Sequence, residues 1–145
     1  MKLVEALEIL RAEQPADARA FEVRLVAGFN PLHIQTFVSA RLRQSHPDQR
    51  TEIHSGLYGD FWGNLERVAE TNADVCVVLM EWADFDSRIG VRGLGSWAPE
   101  ALADILKNAK SRSGQFLQRV HSISKEAPVV VSLPTLPLPP ISFTQ

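Results

Sequence analysis

Apolar and polar residues along this chain recur with two periods, and the switches between them mark its elements. Leu3, Val4, Leu7 and Leu10 fall at helical spacing, which predicts an amphipathic helix from Lys2 to about Glu13, ended by Pro15 and Asp17. Such a helix can cover a sheet edge or dock on a partner. Phe21–Ala27 (FEVRLVA) predicts a first strand, apolar and continuous in its C-terminal half. Gly28-Phe29-Asn30-Pro31 follows, with Asn30 suited to an N-cap and Pro31 to the first helical position. The next helix presents Ile34, Phe37, Val38 and Leu42 on one face and stops at His46-Pro47-Asp48. Thr51–Tyr58 predicts a second strand, with Ile53, Ser55 and Leu57 alternating against polar neighbours, and it ends at Gly59-Asp60. Asp60 is placed to cap a helix carrying Leu65, Val68 and Ala69, with Asn72 as its C-terminal cap.

The pattern then changes. Val75–Met80 is an aliphatic run without charge or breaker, too short for a membrane span and rich in β-branched residues. It reads as a buried central strand, the one around which the others are arranged. It empties at once into Glu81, Asp84, Asp86 and Arg88. Residues Asp84 to Trp97 form a long connection with glycines at 90, 93 and 95, of a length often used for a functional loop or lid.

Pro99 opens the longest helix, in which Leu102, Ile105, Leu106, Ala109, Phe116, Leu117, Val120 and Ile123 hold one face for about six turns. Gly114 inside it costs roughly 1 kcal/mol of helix propensity and suggests a kink or close packing. After Ala127-Pro128, Val129–Leu133 is a fourth apolar strand. Proline donates no ladder hydrogen bond, so PTLPLPPISFTQ reads as an extended, polyproline-like tail.

The alternation of strands and helices predicts an α/β fold: a three-layer αβα arrangement around a parallel sheet of about four strands, with right-handed crossovers. The organisation expected is an N-terminal helix over residues 1–19, the α/β domain over 20–133 and the proline-rich tail over 134–145. An incomplete sheet leaves an exposed edge, which invites pairing with a partner or a second copy. All strands of a parallel sheet end on one rim, the usual ligand face of open α/β sheets. That rim collects Asn30, Tyr58, Asp60, Glu81, Asp84 and Asp86, with Arg88 and Arg92 from the long connection.

Composition narrows the function classes. The 145 residues suffice for one domain with a sizeable core, and 45% hydrophobic with 22% charged residues is ordinary for a globular protein. A net charge of −2 argues against a general nucleic-acid or membrane-surface binder. Cys76 is the single cysteine, which excludes an internal disulfide framework and a cysteine zinc cluster. Met1-Lys2 precedes an amphipathic rather than an unbroken apolar stretch, so no signal peptide is read and a cytoplasmic location is expected.

Glu81, Asp84 and Asp86 have the chemistry to bind a divalent cation such as Mg²⁺ or to position a substrate hydroxyl. The plainer alternative has Asp84 capping a turn and Asp86 paired with Arg88 or Arg92. Gly28-Phe29-Asn30 can turn backbone amides toward an anion, but neither GxxxxGK[ST] nor G-x-G-x-x-G is present. His33 lies on the first turn after it. His46, His54 and His121 lack metal-ligand spacing. Neither a metal nor a cofactor is expected. Trp62, Trp82 and Trp97 read as core or loop anchors, the latter two bracketing the long connection.

Two segments carry a family resemblance. Ser55-Gly56-Leu57-Tyr58-Gly59-Asp60 and Asp74-Val75-Cys76-Val77-Val78-Leu79-Met80-Glu81-Trp82-Ala83-Asp84 resemble the second and third strand ends of SGNH (GDSL-like) hydrolases. The resemblance implies a flavodoxin-like order, with Gly59 at an oxyanion position and Asp84 on the last aspartate of the third-strand motif. Asn30, however, stands where that family has its nucleophilic serine, Ala83 where it has an oxyanion asparagine, and no Asp-x-x-His follows the fourth strand.

The Glu-Trp-x-Asp-x-Asp stretch and the Gly/Arg loop after it are also similar to the N-terminal region of FkbH-like biosynthetic proteins. In those, a following domain is linked to loading a three-carbon glyceryl unit onto an acyl carrier protein. The resemblance spans about Phe21 to Pro140. It implies a degenerate domain that binds or scaffolds, with an acyl carrier protein or a downstream catalytic domain as partner. The alternatives are an ester hydrolase or acyltransferase working through rim carboxylates, and a structural module that dimerises.

Overall fold

The structure, a computed structural model, describes residues 1–68, 71–90 and 98–134. Among the described residues four strands form one sheet: β1 (Ala20–Ala27), β2 (Arg50–Ser55), β3 (Val75–Leu79) and β4 (Val129–Ser132). Their spatial order is β2-β1-β3-β4 and every pairing is parallel. Among the described residues five α-helices accompany the sheet: α1 (Leu3–Arg11), α2 (Leu32–Ser45), α3 (Phe61–Val68), the single turn α4 (Trp82–Phe85) and α5 (Leu102–Ile123). No helix among the described residues is long and apolar enough to cross a membrane.

The period-two pattern of the strands divides the core. Val26 of β1 and Cys76, Val78 and Met80 around β3 point to one face, where they pack with Phe61 and Leu65 of α3 and Phe116 and Ile123 of α5. Val23, Leu25 and Ala27 are buried on the other face of β1. On that side α2 packs against β2, and α1 packs on α2. Arg43 of α2 holds the end of α1, donating to the carbonyls of Leu10 and Ala12. The start of the sheet is tied by Asp74, which accepts from the Glu22 N–H and from Arg19. Cys76 is fully buried, and burial pushes its thiol up to about 11, as a small core residue requires.

Several expectations change in detail. The second strand stops at Ser55, and Leu57 and Tyr58 are exposed in the turn after it. The alternation of Ile53, Ser55 and Leu57 extends past the ladder because side-chain hydrogen bonds described below capture the backbone at Leu57. The connection after β3 begins in regular structure, with α4 and then a 3₁₀ turn over Ser87–Ile89; Val91–Trp97, including Arg92 and Trp97, lie outside the described residues. α2 begins at Leu32, one residue later than read, and its Ile34 is exposed while Ala40 is buried. The apolar stripe of α5 is wider than its contact: Ile105, Phe116 and Ile123 are buried, while Leu106 and Leu117 remain 60% and 66% exposed. Gly114 has open space where a Cβ would stand, so close packing is not what it serves. Asn72 is not a left-handed cap, because no described residue other than glycine has positive φ; Ala69 and the tail from Thr135 onward lie outside the described residues.

Leu65 and Leu117 make a matched pair for testing this packing. Leu65→Ala is expected to cost about 2–5 kcal/mol, read as a lower urea midpoint. Leu117→Ala is expected to stay within about 0.5 kcal/mol of the parent. Equal losses would mean that α5 buries its leucines and the packing described here is wrong.

Candidate functional site

A cleft of about 570 Å³ opens at the C-terminal rim of the sheet, between the turn after β2, the start of α3, the segment after β3 and the middle of α5. Its walls include Gly59, Trp62, Asp84, Asp86, Arg88 and Arg112. Three local arrangements build it.

The first is a knot of backbone and one buried amide. Gly59 has φ +78°, a left-handed conformation that favours glycine, and its N–H donates to the carbonyl of Gly28 at 2.8 Å. Asn64 on α3 is nearly inaccessible. Its Oδ1 accepts from the Leu57 N–H and from Arg67, and its Nδ2 donates to the carbonyls of Ala27 and Leu57. The turn after β2 is thereby held against the end of β1. A Cβ at Gly56 would stand 2.1 Å from Asn64 Oδ1, so the glycine is what lets the turn approach. These bonds also explain why β2 ends early: the peptide groups of Leu57 belong to Asn64.

The second is the turn after β3. Asp84 Oδ2 accepts from the Glu81 N–H at 2.7 Å, closing α4 from below. The other oxygen, Oδ1, packs over Gly28: a Cβ there would lie 2.7 Å from it and 3.2 Å from Phe61 Cβ. The Trp62 indole Nε1 donates to the Asp84 carbonyl at 2.9 Å and anchors the turn to α3. Burial raises the Asp84 carboxyl to about 6; the Glu81 N–H bond opposes this, and the nearby Glu81 charge adds to it.

The third is an ion network on the far wall. Arg88 Nε and Nη2 grip Asp86 at 2.8 and 2.6 Å, and Nη2 also reaches Asp104 of α5 at 2.9 Å. Asn108 of α5 donates to both carboxylates. The side chain of Asp86 is only 6% exposed, and the Arg88 guanidinium holds its carboxyl down to about 2. Arg88 is raised by the same two acids.

The residues marked from sequence therefore divide. Gly59, Asp84, Asp86 and Arg88 line the cleft. Asp60 caps α3 through Gly63 and pairs with Arg67, which together hold its carboxyl below the usual range. Glu81 is exposed at the head of α4. Asn30 is not part of the wall: its Oδ1 accepts from the N–H of Leu32, the first residue of α2. The Gly59 amide, assigned to an oxyanion by the resemblance, is already bonded to Gly28. Among the described residues no three His, Cys, Asp or Glu side chains are grouped to hold a metal, so Glu81, Asp84 and Asp86 do not form the ligand set considered above. Their separate engagements match the plainer alternative: a capped turn and an ion pair.

Trp62, Asn108, Ser111 and Arg112 line the cleft without having been marked as ligand residues. The Arg112 guanidinium lies over the Trp62 ring, 4.8 Å from its centroid. The spacing 108, 111, 112 is a polar stripe at i, i+3, i+4 on a helix otherwise read for its apolar side. That stripe was the available signal. No family model, no curated protein and no solved structure matches the chain.

Asp84 and Asp86 have opposite linkage to pH. Asp84 is raised from 3.8 to about 6, so its contribution to stability is full below the unfolded value and is lost as pH rises toward 6. Asp86 is lowered from 3.8 to about 2, so its contribution is present above the unfolded value and is lost as pH falls toward 2. Asp84→Asn keeps an oxygen for the Glu81 N–H and removes the buried charge. It is expected to raise stability at pH 7 by roughly 1–3 kcal/mol and to change little at pH 4. Urea midpoints measured from pH 4 to 7 check this; a variant less stable than the parent at pH 7 would contradict the assignment. Asn64→Leu is expected to lose about 1–3 kcal/mol at every pH, because it strands the buried carbonyl of Ala27 and the part-buried peptide groups of Leu57.

Proposed function

We propose that this chain is a degenerate domain of the SGNH-hydrolase-like kind, with a flavodoxin-like sheet, that binds or scaffolds rather than catalyses. Its setting would be a biosynthetic protein of acyl or glyceryl transfer, with an acyl carrier protein or a downstream catalytic domain as partner. The strand order β2-β1-β3-β4, all parallel, is compatible with that topology.

One observation carries the non-catalytic part. The cleft at the rim has no activated nucleophile at the position where a serine hydrolase needs one. Asn30 holds that sequence position, lies outside the cleft wall and engages the Leu32 N–H at the start of α2. The Gly59 amide, which would have to face a tetrahedral intermediate, donates to Gly28 instead. What the cleft retains suits recognition: an aromatic face, an arginine and a carboxyl whose burial leaves it protonatable near pH 6.

The second reading is an ester hydrolase or acyltransferase that uses rim carboxylates, and Asp84 is the observation that favours it. A carboxyl raised to about 6 is within the range of a general acid or base at neutral pH. It would need a water or hydroxyl nucleophile brought by substrate or partner.

The two readings separate in one assay. Purified protein is expected to release p-nitrophenol from p-nitrophenyl acetate and butyrate no faster than the same protein after denaturation. Saturable turnover that disappears in Asp84→Asn would replace the first reading by the second.

A further inference from the structure

The charges around the cleft do not cancel. Arg88 is saturated, held by Asp86 and Asp104 together. Asp86 in turn has Arg88 and Asn108. Arg112 is different. Among the described residues its one side-chain hydrogen bond is to Gln115 Oε1 at 3.3 Å, and no carboxylate is within ion-pair distance. It is held in place by the face of Trp62 rather than by a countercharge. Stacking fixes the plane of a guanidinium and leaves its edge N–H groups free for an incoming acceptor.

Trp62 ties this cation to Asp84, the carboxyl lining the cleft that pairs with no arginine among the described residues. Its ring carries Arg112, and its Nε1 holds the backbone of Asp84. Asp84 Oδ1 has no hydrogen bond among the described residues, since Oδ2 alone meets the Glu81 N–H. One indole therefore touches both the cation and the backbone of the residue that carries this oxygen, and both residues line the cleft. Ser111 and Asn108 add neutral hydrogen-bonding groups on the same wall.

From this arrangement we propose that the cleft is a binding site for a small organic monocarboxylate, held through its carboxylate by Arg112 on the face of Trp62, with a hydroxyl of the ligand reaching Asp84. The charge decides between anions. One unpaired cation matches one negative charge. A phosphate dianion would bring a second charge into a wall that already carries Asp84 and Asp86, with Asp104 on the same Arg88 as Asp86, and like charges there are unfavourable. The proposal deepens the binding reading above and rests on it only for the location of the site.

Lactate, acetate and inorganic phosphate are the probes. Each is titrated at constant ionic strength, near pH 7.5, into the full chain, with binding read from amide chemical shifts. Lactate is expected to saturate, to bind more tightly than acetate, and to shift residues around Trp62 and Arg112. Phosphate is expected to bind at least tenfold more weakly than lactate. Arg112→Ala is expected to lose at least tenfold in lactate affinity with an unchanged fold, because Arg112 is an exposed helix residue. Arg112→Lys, which keeps the charge and loses the planar fork, should recover part of it. Asp84→Asn should bind lactate at least as well as the parent, since an amide still reaches a hydroxyl and no longer repels the carboxylate.

Unchanged lactate affinity in Arg112→Ala, or phosphate binding as tight as lactate, overturns the proposal. So does the absence of any saturable shift. None of these outcomes depends on ester turnover: a chain that binds lactate and hydrolyses esters keeps this site and loses the non-catalytic reading, and a chain that does neither keeps that reading and loses the site.

Discussion

Asn64 places one buried amide between two parts of the chain that would otherwise only abut. Its four hydrogen bonds satisfy the last carbonyl of β1, both peptide groups of Leu57 and the Arg67 guanidinium. A buried amide is tolerated only when its donors and acceptors are met, and here they are. With the turn held there, Gly59 can reach the Gly28 carbonyl, and α3 starts where Phe61 and Trp62 meet Asp84. The floor and one wall of the cleft follow from that single side chain.

The acids at the rim show how environment divides residues of one chemical type. Asp60 and Asp86 have arginine partners and are held below the usual carboxyl range. Asp84 is part-buried with no cation against it among the described residues, and it is raised instead. Groups whose surroundings push them apart in this way are those with different tasks available to them. Asp60 and Asp86 are committed to holding α3 and the segment after β3. Among the described residues Asp84 keeps one oxygen uncommitted.

Much of the fold was legible because its signals are local. The aliphatic run at Val75, the switch to helical spacing after Pro99 and the proline and glycine breaks each depend on a few neighbouring residues. They placed the four strands and the alternating helices in the right order. What failed depends on distant partners. Leu57 continues the alternation of β2, and only Asn64, seven residues on, removes it from the ladder. Leu106 and Leu117 have the spacing of a buried stripe, but spacing does not say how wide the opposing surface is. The rim was found from topology, since parallel strands share an end. Arg112 was missed because its meaning comes from Trp62, fifty residues earlier in the chain.

The all-parallel register also orders the events of folding. No strand pairs with a sequence neighbour through a hairpin, so every ladder in the sheet waits on closure of a crossover. The recognition surface lies later still. Asn64 can bind the Ala27 carbonyl only once β1 and α3 have docked across 37 positions of chain. The cavity is a late product of assembly, and a partly formed molecule offers its helices and hydrophobic strands to the surroundings before it offers a place for a ligand.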